Sequence, residues 1–375
     1  MQIERLTMTN DMQYMKLALD LAASAVGKTN PNPLVGAVIV KDGSIVGTGL
    51  HRKAGEPHAE VHAFKMAGEH AKGATLYVTL EPCSHYGKTP PCAELVKNSG
   101  VKRVIVAMQD PNPAVAGRGI RLLQEQGIEV EVGVLEAEAK KLNERFIHNM
   151  LTERPFVMSK FAMTLDGKIA TYNGHSQWIT SEESRTHVHT VRDQVDAILV
   201  GVNTVKADNP RLTTRLLERK GKNPIRIIID RQLATPLDSN VCNTEEARTI
   251  IVTSEFNREM TQPYLLFGVE FVYVKENQGK LDLDEALKQL YKQGITDILV
   301  EGGASIHAAF LRANLINKVF AYIAPKLLGG KGSLSAFTGT DVETVDEALQ
   351  LHFDEVQKMG DDLFITAYPK DRGNT

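Results

Sequence analysis

An imidazole, two thiols and a carboxylate stand near the start of this chain in an order that suits a metal. They lie in Pro57-His58-Ala59-Glu60, Glu81-Pro82-Cys83 and Pro91-Cys92, with eight residues between the two cysteines. His58, Cys83 and Cys92 would leave a tetrahedral Zn²⁺ one open position, where water has its pKa lowered to about 7. Glu60 is no natural fourth ligand. If His58 opens a helix, with Pro57 suited to its first turn, Glu60 points elsewhere and can carry a proton from that water to a bound substrate. A closed structural zinc site normally has four protein ligands and tight Cys-x₂₋₄-Cys pairs. Here the pair is wider and only His85 lies near enough in sequence to be a fourth ligand, so the spacing favours a catalytic metal.

These groups have to be presented by strand ends and helix starts. Cys83 follows the apolar strand run Ala74-Thr75-Leu76-Tyr77-Val78-Thr79-Leu80, and Cys92 begins the helical pattern Ala93-Glu94-Leu95-Val96. Ligands at helix starts meet the positive end of the helix dipole, which lowers thiol pKa. Around them the pattern alternates. Tyr14, Ala18, Leu21, Ala22 and Ala25 form a helical stripe stopped by Gly27, and a strand spans Leu34 to Val40. Asp42-Gly43 turns the chain into a second strand, Ser44–Gly49. A strand Arg103–Ala107, a helix around Leu122 ending at Gly127 and a strand Ile128–Val132 follow. The expectation is an α/β mixed sheet with helices on its faces.

The 375 residues exceed what one hydrophobic core usually supports. A charged amphipathic segment from Glu136 to Asn149 leads into Thr152-Glu153-Arg154-Pro155, where the pattern restarts, so domains over 1–150 and 151–375 are expected. Strands are expected at Phe156–Ala162, Ala197–Val200, Ile225–Ile229, Thr249–Val252 and Ile298–Val300, and Arg215 to Asn223 reads as a solvated loop or short surface helix. Leu299-Val300-Glu301-Gly302-Gly303-Ala304-Ser305-Ile306 runs from a buried strand through two glycines into a helix. This is either a phosphate cradle at a helix N-terminus or a plain tight turn. No GxGxxG fingerprint is present. The net charge of −3 is spread along the chain without a basic block, which argues against nucleic-acid binding. There is no apolar run of membrane length and no signal-peptide layout, and the three cysteines form no disulfide framework. A cytoplasmic protein is expected, with Cys242 an inert thiol.

The His-x-Glu…Pro-Cys…Cys arrangement is the known signature of zinc deaminases. Nucleic-acid and nucleoside deaminases generally carry the shorter Cys-x₂-Cys form. Glu81-Pro82-Cys83-Ser84-His85-Tyr86-Gly87-Lys88-Thr89-Pro90-Pro91-Cys92 instead resembles the zinc segment of the bifunctional deaminase/reductase family of riboflavin biosynthesis. The second half resembles the reductase domain of the same family. The matching motifs are Thr164-Leu165-Asp166-Gly167-Lys168-Ile169-Ala170, Ser176-Gln177-Trp178-Ile179-Thr180, Gly201-Val202-Asn203-Thr204-Val205-Lys206-Ala207-Asp208-Asn209-Pro210 and Glu301-Gly302-Gly303.

That resemblance covers nearly the whole chain. It implies a cytidine-deaminase-like N-terminal domain and a dihydrofolate-reductase-like α/β C-terminal domain, one Zn²⁺ per chain and NADPH. It also implies two consecutive steps. Zinc hydroxide would deaminate 2,5-diamino-6-ribosylamino-4(3H)-pyrimidinone 5′-phosphate with Glu60 relaying the proton, and NADPH would then reduce the ribosylamino product to 5-amino-6-ribitylaminouracil 5′-phosphate.

Family matches point to Asn32, His51, His85, Lys88, Asp110 and Asn112 as deaminase substrate contacts, although Asp110-Pro111-Asn112-Pro113 is also ordinary turn chemistry. They place Ala162, Trp178, Thr204, Asp208, Arg231 and the helix start Gly303, Ala304, Ser305, Ile306, His307, Ala308 and Ala309 against the cofactor. Trp178 could instead be core packing, and Arg231 could pair with the 2′-phosphate of NADPH. Ser176, Arg192, Leu212, Arg215 and Glu301 fall where the family binds the reductase substrate, with two arginines apt for a phosphate. Lys160 and Lys168 are assigned no chemical step. The implied partners are a small phosphorylated pyrimidine and further copies of the chain, joined through the reductase domain. A zinc-dependent tRNA deaminase with an appended binding domain, and a zinc scaffold without activity, are the competing readings.

Overall fold

The computed structural model describes residues 9–84, 90–113, 115–339 and 342–370. Two of the expected substrate contacts, His85 and Lys88, lie outside the described residues. The chain divides into two compact units, Met1–Glu153 and Arg154–Thr375.

The first unit is built on a five-stranded sheet in the order Ser44–Leu50, Gly36–Lys41, Thr75–Leu80, Arg103–Met108, Glu129–Val132. Gly36–Lys41 is antiparallel to both its neighbours, and the remaining pairs are parallel. The hairpin turn has Asp42 at φ 49° and Gly43 at φ 77°. Both are left-handed, as a two-residue turn of this type requires. The central strands are covered on both faces, which is why they read as continuous apolar runs rather than alternating ones. Ile39, Leu76 and Ile105 are fully buried there, with Met15 and Leu123 packing from the flanking helices.

The helix Ala59–Ala67 lies tight on the edge strand. A Cβ at Gly49 would fall 2.1 Å from the Ala59 carbonyl oxygen. Glycine is therefore what lets the helix sink close enough to bring its first turn over the carboxyl end of the sheet.

The second unit carries a nine-stranded sheet. Its order is Glu270–Val274, Thr249–Ser254, Ile225–Ile229, Ala197–Gly201, Asp297–Gly302, Phe156–Thr164, Lys318–Ala324, Asp362–Pro369, Leu351–Met359. The first seven are parallel, and the last two form an antiparallel hairpin added at one edge. Leu351–Met359 is exposed along most of its length, so its sequence lacks the apolar run by which the interior strands declare themselves. Arg215–Asn223 forms neither helix nor strand. Backbone-to-side-chain bonds pin it instead, Lys222 N–H to Asp193 at 2.7 Å and Thr214 N–H to Asn223 at 3.0 Å. Among the described residues no helix is long and apolar enough to cross a membrane.

Candidate active sites

In the first unit three side chains converge at the carboxyl end of the central strands. His58 is the N-cap of the helix Ala59–Ala67 rather than its first residue, with extended backbone at φ −71° and ψ 164°. Pro57 therefore precedes the cap. Cys92 is the first residue of the helix Cys92–Asn98, and Cys83 sits in the loop after Thr75–Leu80. The His58 Nδ1 atom lies 3.2 Å from Cys92 Sγ and 3.6 Å from Cys83 Sγ, and all three ligand atoms fall within 4.8 Å of one another. A tetrahedral zinc with metal–N near 2.0 Å and metal–S near 2.3 Å separates N and S by about 3.5 Å. The three residues fit a zinc ion.

The Cys92 backbone N–H donates to Cys83 Sγ at 3.3 Å, a helix N-terminus aimed at a thiolate. The Cys83 thiol is pulled well down, first by the hydrogen bond from Cys92, while Cys92 is pushed up by the same bond and by burial.

Glu60 lines the same cavity, is 3 % exposed, and its Oε2 atom has no partner among the described residues. Burial raises its pKa, which suits a group that takes up and hands on a proton. His51 Nδ1 lies 3.2 Å from the Pro57 carbonyl and Nε2 lies 3.1 Å from Asn32 Nδ2. With Nδ1–H donating to Pro57, Nε2 accepts from Asn32 and fixes the direction of its amide. Burial lowers the His51 pKa, consistent with a neutral ring. Asp110 and Asn112 also line the cavity, about 290 Å³ in volume. They make the turn as well, Asn112 N–H donating to Asp110 Oδ1 at 2.9 Å.

The second unit holds a cavity of about 310 Å³ that gathers residues from both expected groups: Ala162, Trp178, Gly303 and His307 with Ser176, Arg192, Arg215 and Glu301. Trp178 is 63 % exposed and stacks under the Arg185 guanidinium at 4.5 Å, so it is not core packing. The Glu301 side chain is 6 % exposed and receives Arg192 Nε at 2.7 Å and Nη2 at 2.8 Å, with Lys160 Nζ at 3.8 Å. Burial alone would raise its pKa, but Arg192 and Lys160 outweigh it and hold the carboxyl down to about 2. The third donor of Arg192, Nη1, goes to the Thr213 carbonyl at 3.0 Å. The expected pair of phosphate-gripping arginines is thus divided, since the Arg192 fork is taken up by Glu301 and only Arg215 is exposed.

His307 bonds Ser159 Oγ at 2.9 Å, and burial lowers its pKa to about 4. Gly303, at φ 81°, opens the helix Ala304–Arg312, and Thr204 Oγ1 would lie 3.4 Å from a Cβ there. This helix start carries Ala304, Ser305, Ile306, Ala308 and Ala309; the Ile306 and His307 N–H groups donate to the Gly303 carbonyl at 2.9 and 3.1 Å, which leaves those ahead of them for an anion such as a phosphate of NADPH. Nine expected residues do not line this cavity: Thr204, the helix-start residues Ala304, Ser305, Ile306, Ala308 and Ala309, and Leu212, Asp208 and Arg231. Leu212 packs into an apolar cluster with Val200, Val205 and Ile228, Asp208 is exposed at the end of the helix Val202–Asp208, and Arg231 is paired with Glu276 at 3.1 Å.

The family model of the cytidine and deoxycytidylate deaminase zinc-binding region matches residues 8–108, and that of the RibD C-terminal domain matches residues 155–365. The riboflavin biosynthesis protein RibD of Aquifex aeolicus is 47 % identical over 355 residues, covering 95 % of this chain and 97 % of the relative. The chain belongs to the RibD family of riboflavin biosynthesis proteins. The RibD of Bacillus amyloliquefaciens is also 47 % identical, over 96 % of both chains. A solved structure from Thermotoga maritima, described as a diaminohydroxyphosphoribosylaminopyrimidine deaminase/5-amino-6-(5-phosphoribosylamino)uracil reductase, has a TM-score of 0.85 at 40 % identity and covers 96 % of this chain and 99 % of its own. These RibD relatives agree with the two-unit α/β architecture, deaminase-like first and reductase-like second.

Sequence reasoning missed several residues that line the two cavities. Val115, Phe146 and Met150 wall the deaminase cavity, and Arg185, His189 and Tyr322 the reductase cavity, where Lys160, assigned no step from the sequence, also stands. Phe146 and Met150 stand four apart in the helix Glu144–Thr152, a helical pair whose direction the amphipathic pattern does not reveal.

Proposed function

We infer that this chain is a bifunctional enzyme of riboflavin biosynthesis, with deaminase chemistry in the first unit and reductase chemistry in the second. The deaminase substrate is 2,5-diamino-6-ribosylamino-4(3H)-pyrimidinone 5′-phosphate. Its product is reduced with NADPH to 5-amino-6-ribitylaminouracil 5′-phosphate. The observation that carries this reading is the His58–Cys83–Cys92 cluster with Glu60 beside it, on a chain whose remainder matches the RibD C-terminal domain.

Bound by His58, Cys83 and Cys92, zinc supplies the Lewis acidity that makes water nucleophilic at neutral pH. Glu60 takes the proton that the attacking water gives up, then delivers it to the ring nitrogen and the departing amine. Its burial keeps that proton from exchanging with solvent. Asn32, with its amide held by His51, and Asp110 and Asn112 orient the polar pyrimidine and ribose, while His85 and Lys88 serve the phosphate.

In the second unit NADPH supplies the hydride, and the protein's part is to position. The Gly303 helix start, with Ala162, Thr204 and Trp178, takes the cofactor; Arg231 is assigned to its 2′-phosphate and Asp208 to its rim. Ser176 and Arg215 bind the phosphorylated sugar, and Arg192 and Glu301 form a charged floor already paired before substrate arrives. A prepaired floor costs no reorganisation at the moment of reaction. Any contact from Leu212 comes through its backbone.

The polynucleotide-deaminase alternative is not favoured, because residues 155–365 match a reductase domain. We place the enzyme in the cytoplasm, acting on small molecules rather than nucleic acid, as a homo-oligomer joined through the reductase unit. The exposed edge strand Leu351–Met359, with Phe353 and Val356 in solvent, supports that last point.

The test is a coupled assay following ammonia release and then NADPH absorbance, with and without a zinc chelator and with Glu60→Gln. Ammonia release followed by NADPH consumption, with only the first step lost on chelation or in Glu60→Gln, is the expected result. Ammonia without NADPH consumption would overturn the reductase assignment, and no ammonia from zinc-loaded protein would overturn the deaminase assignment.

A further inference from the structure

We propose that Glu81 is a positioning residue of the deaminase, holding Asp110 and Asn112 in the substrate cavity through the backbone of their loop. The proposal rests on the deaminase reading above and adds to it a residue that borders the same cavity but spends its carboxylate on the backbone of the neighbouring loop.

Glu81 is 5 % exposed, a carboxylate buried beside a metal-ligating segment. Among the described residues its partners are backbone N–H groups. Oε2 accepts from Asp110 at 3.2 Å and Gly117 at 2.9 Å, and Oε1 from Gly119 at 2.9 Å and Ile120 at 3.4 Å. A carboxylate offers about four lone-pair sites, so these four donors leave nothing with which to bind a ligand.

The donors mark what is being held. Gly117 is the N-cap of the helix Arg118–Glu125 and has no side chain to cap it, while Gly119 and Ile120 belong to the first turn. Glu81 therefore caps this helix from 36 residues away in sequence, where the positive dipole end favours an anion. By also binding the Asp110 N–H, it ties the start of the loop to its end. Between those ties lie Asp110, Asn112 and Val115, all lining the deaminase cavity. Within the loop Val115 and Ala116 N–H both donate to the Asn112 carbonyl at 2.9 Å, so the clamp reaches Asn112 through two short bonds. The fit leaves no slack. A Cβ at Gly119 would lie 2.1 Å from the Pro82 carbonyl oxygen and 3.2 Å from Glu81 Oε1.

The experiment uses the full chain with Glu81→Gln. The amide keeps one acceptor oxygen and turns an N–H₂ toward two backbone N–H groups, so half the clamp opens. Zinc stays at wild-type stoichiometry, and the reductase rate, measured on 5-amino-6-ribosylaminouracil 5′-phosphate, stays unchanged and serves as the internal control for folding. KM for the diaminopyrimidine rises about tenfold or more, with kcat altered far less. In the double variant with Asn112→Ala, the loss expected from removing Asn112 disappears, because a released loop no longer presents it.

Gly119→Ala disturbs the same bonds with Glu81 intact and gives the same KM shift; it carries the test if Glu81→Gln does not fold. Loss of zinc in either variant, a fall in kcat at unchanged KM, or an Asn112→Ala effect that persists in full would each overturn the proposal. A wild-type chain that releases no ammonia would instead overturn the deaminase reading.

Discussion

Replacing Glu301 by glutamine should cost the second unit on the order of 3 kcal/mol at neutral pH. The carboxyl is buried, gripped by two Arg192 bonds and approached by Lys160, and its pKa is held down from 4.5 to about 2. At 1.36 kcal/mol per pH unit, that preference for the charged form is about 3 kcal/mol. Opening a buried pair by removing one partner costs about 3–5 kcal/mol, because a charge is left without its counterpart. Here two cations are left, Arg192 and Lys160. For a unit of this size the loss corresponds to roughly 6–12 °C in Tm by scanning calorimetry. The pH dependence has a definite sign. A depressed carboxyl contributes stability above pH 4.5 and loses it as pH falls through about 2. The melting temperatures of wild type and Glu301→Gln should therefore converge on acidification below pH 4.5. A difference under about 2 °C at pH 7, or one that does not shrink in acid, would refute the reasoning. Reductase activity should fall with the substitution while ammonia release stays at the wild-type rate.

His307 offers a second handle on pH. Its native pKa of about 4 lies below the ordinary imidazole value of 6.5, so the unfolded chain binds the extra proton in that window. Stability from this group is complete above pH 6.5 and is lost as pH falls through about 4, by up to roughly 3 kcal/mol. Urea unfolding at pH 7, 5.5 and 4 should show a flatter pH dependence in His307→Gln; an unchanged slope would contradict the buried neutral imidazole. Phe146→Ala removes an apolar wall of the deaminase cavity and should raise KM for the diaminopyrimidine about tenfold, the equivalent of part of one buried side chain. Steady-state ammonia release checks it, with zinc content and NADPH consumption unaltered.

Much of the fold can be read from local pattern. The strands at Thr75–Leu80, Arg103–Met108 and Ala197–Gly201 are buried on both faces and stand as apolar runs in the chain. Asp42-Gly43 announces its own turn. The exposed hairpin strand Leu351–Met359 gives no such signal, since an edge strand facing solvent has no need of apolar residues at every position. The amphipathic stretch from Glu136 leads into the domain boundary, yet its continuation Glu144–Thr152 also supplies Phe146 and Met150 to the deaminase cavity. Helical periodicity reports that one face is apolar, not what that face meets.

What the sequence determined by itself is the chemical inventory and its local presentation. His58, Glu60, Cys83 and Cys92 lie close to helix starts and a strand end, so short-range backbone geometry already aims them. Tertiary structure alone decided which buried polar groups answer one another. Arg192 meets Glu301 across 109 residues, dividing two arginines that looked equivalent into a structural partner and an exposed one. Glu81 is an unremarkable letter beside a proline until four N–H groups from another segment surround it. The reason is physical. Periodicity and turn chemistry are set by neighbours along the chain, whereas a buried donor or acceptor is satisfied by whatever packing brings within about 3 Å, and that choice belongs to the whole fold.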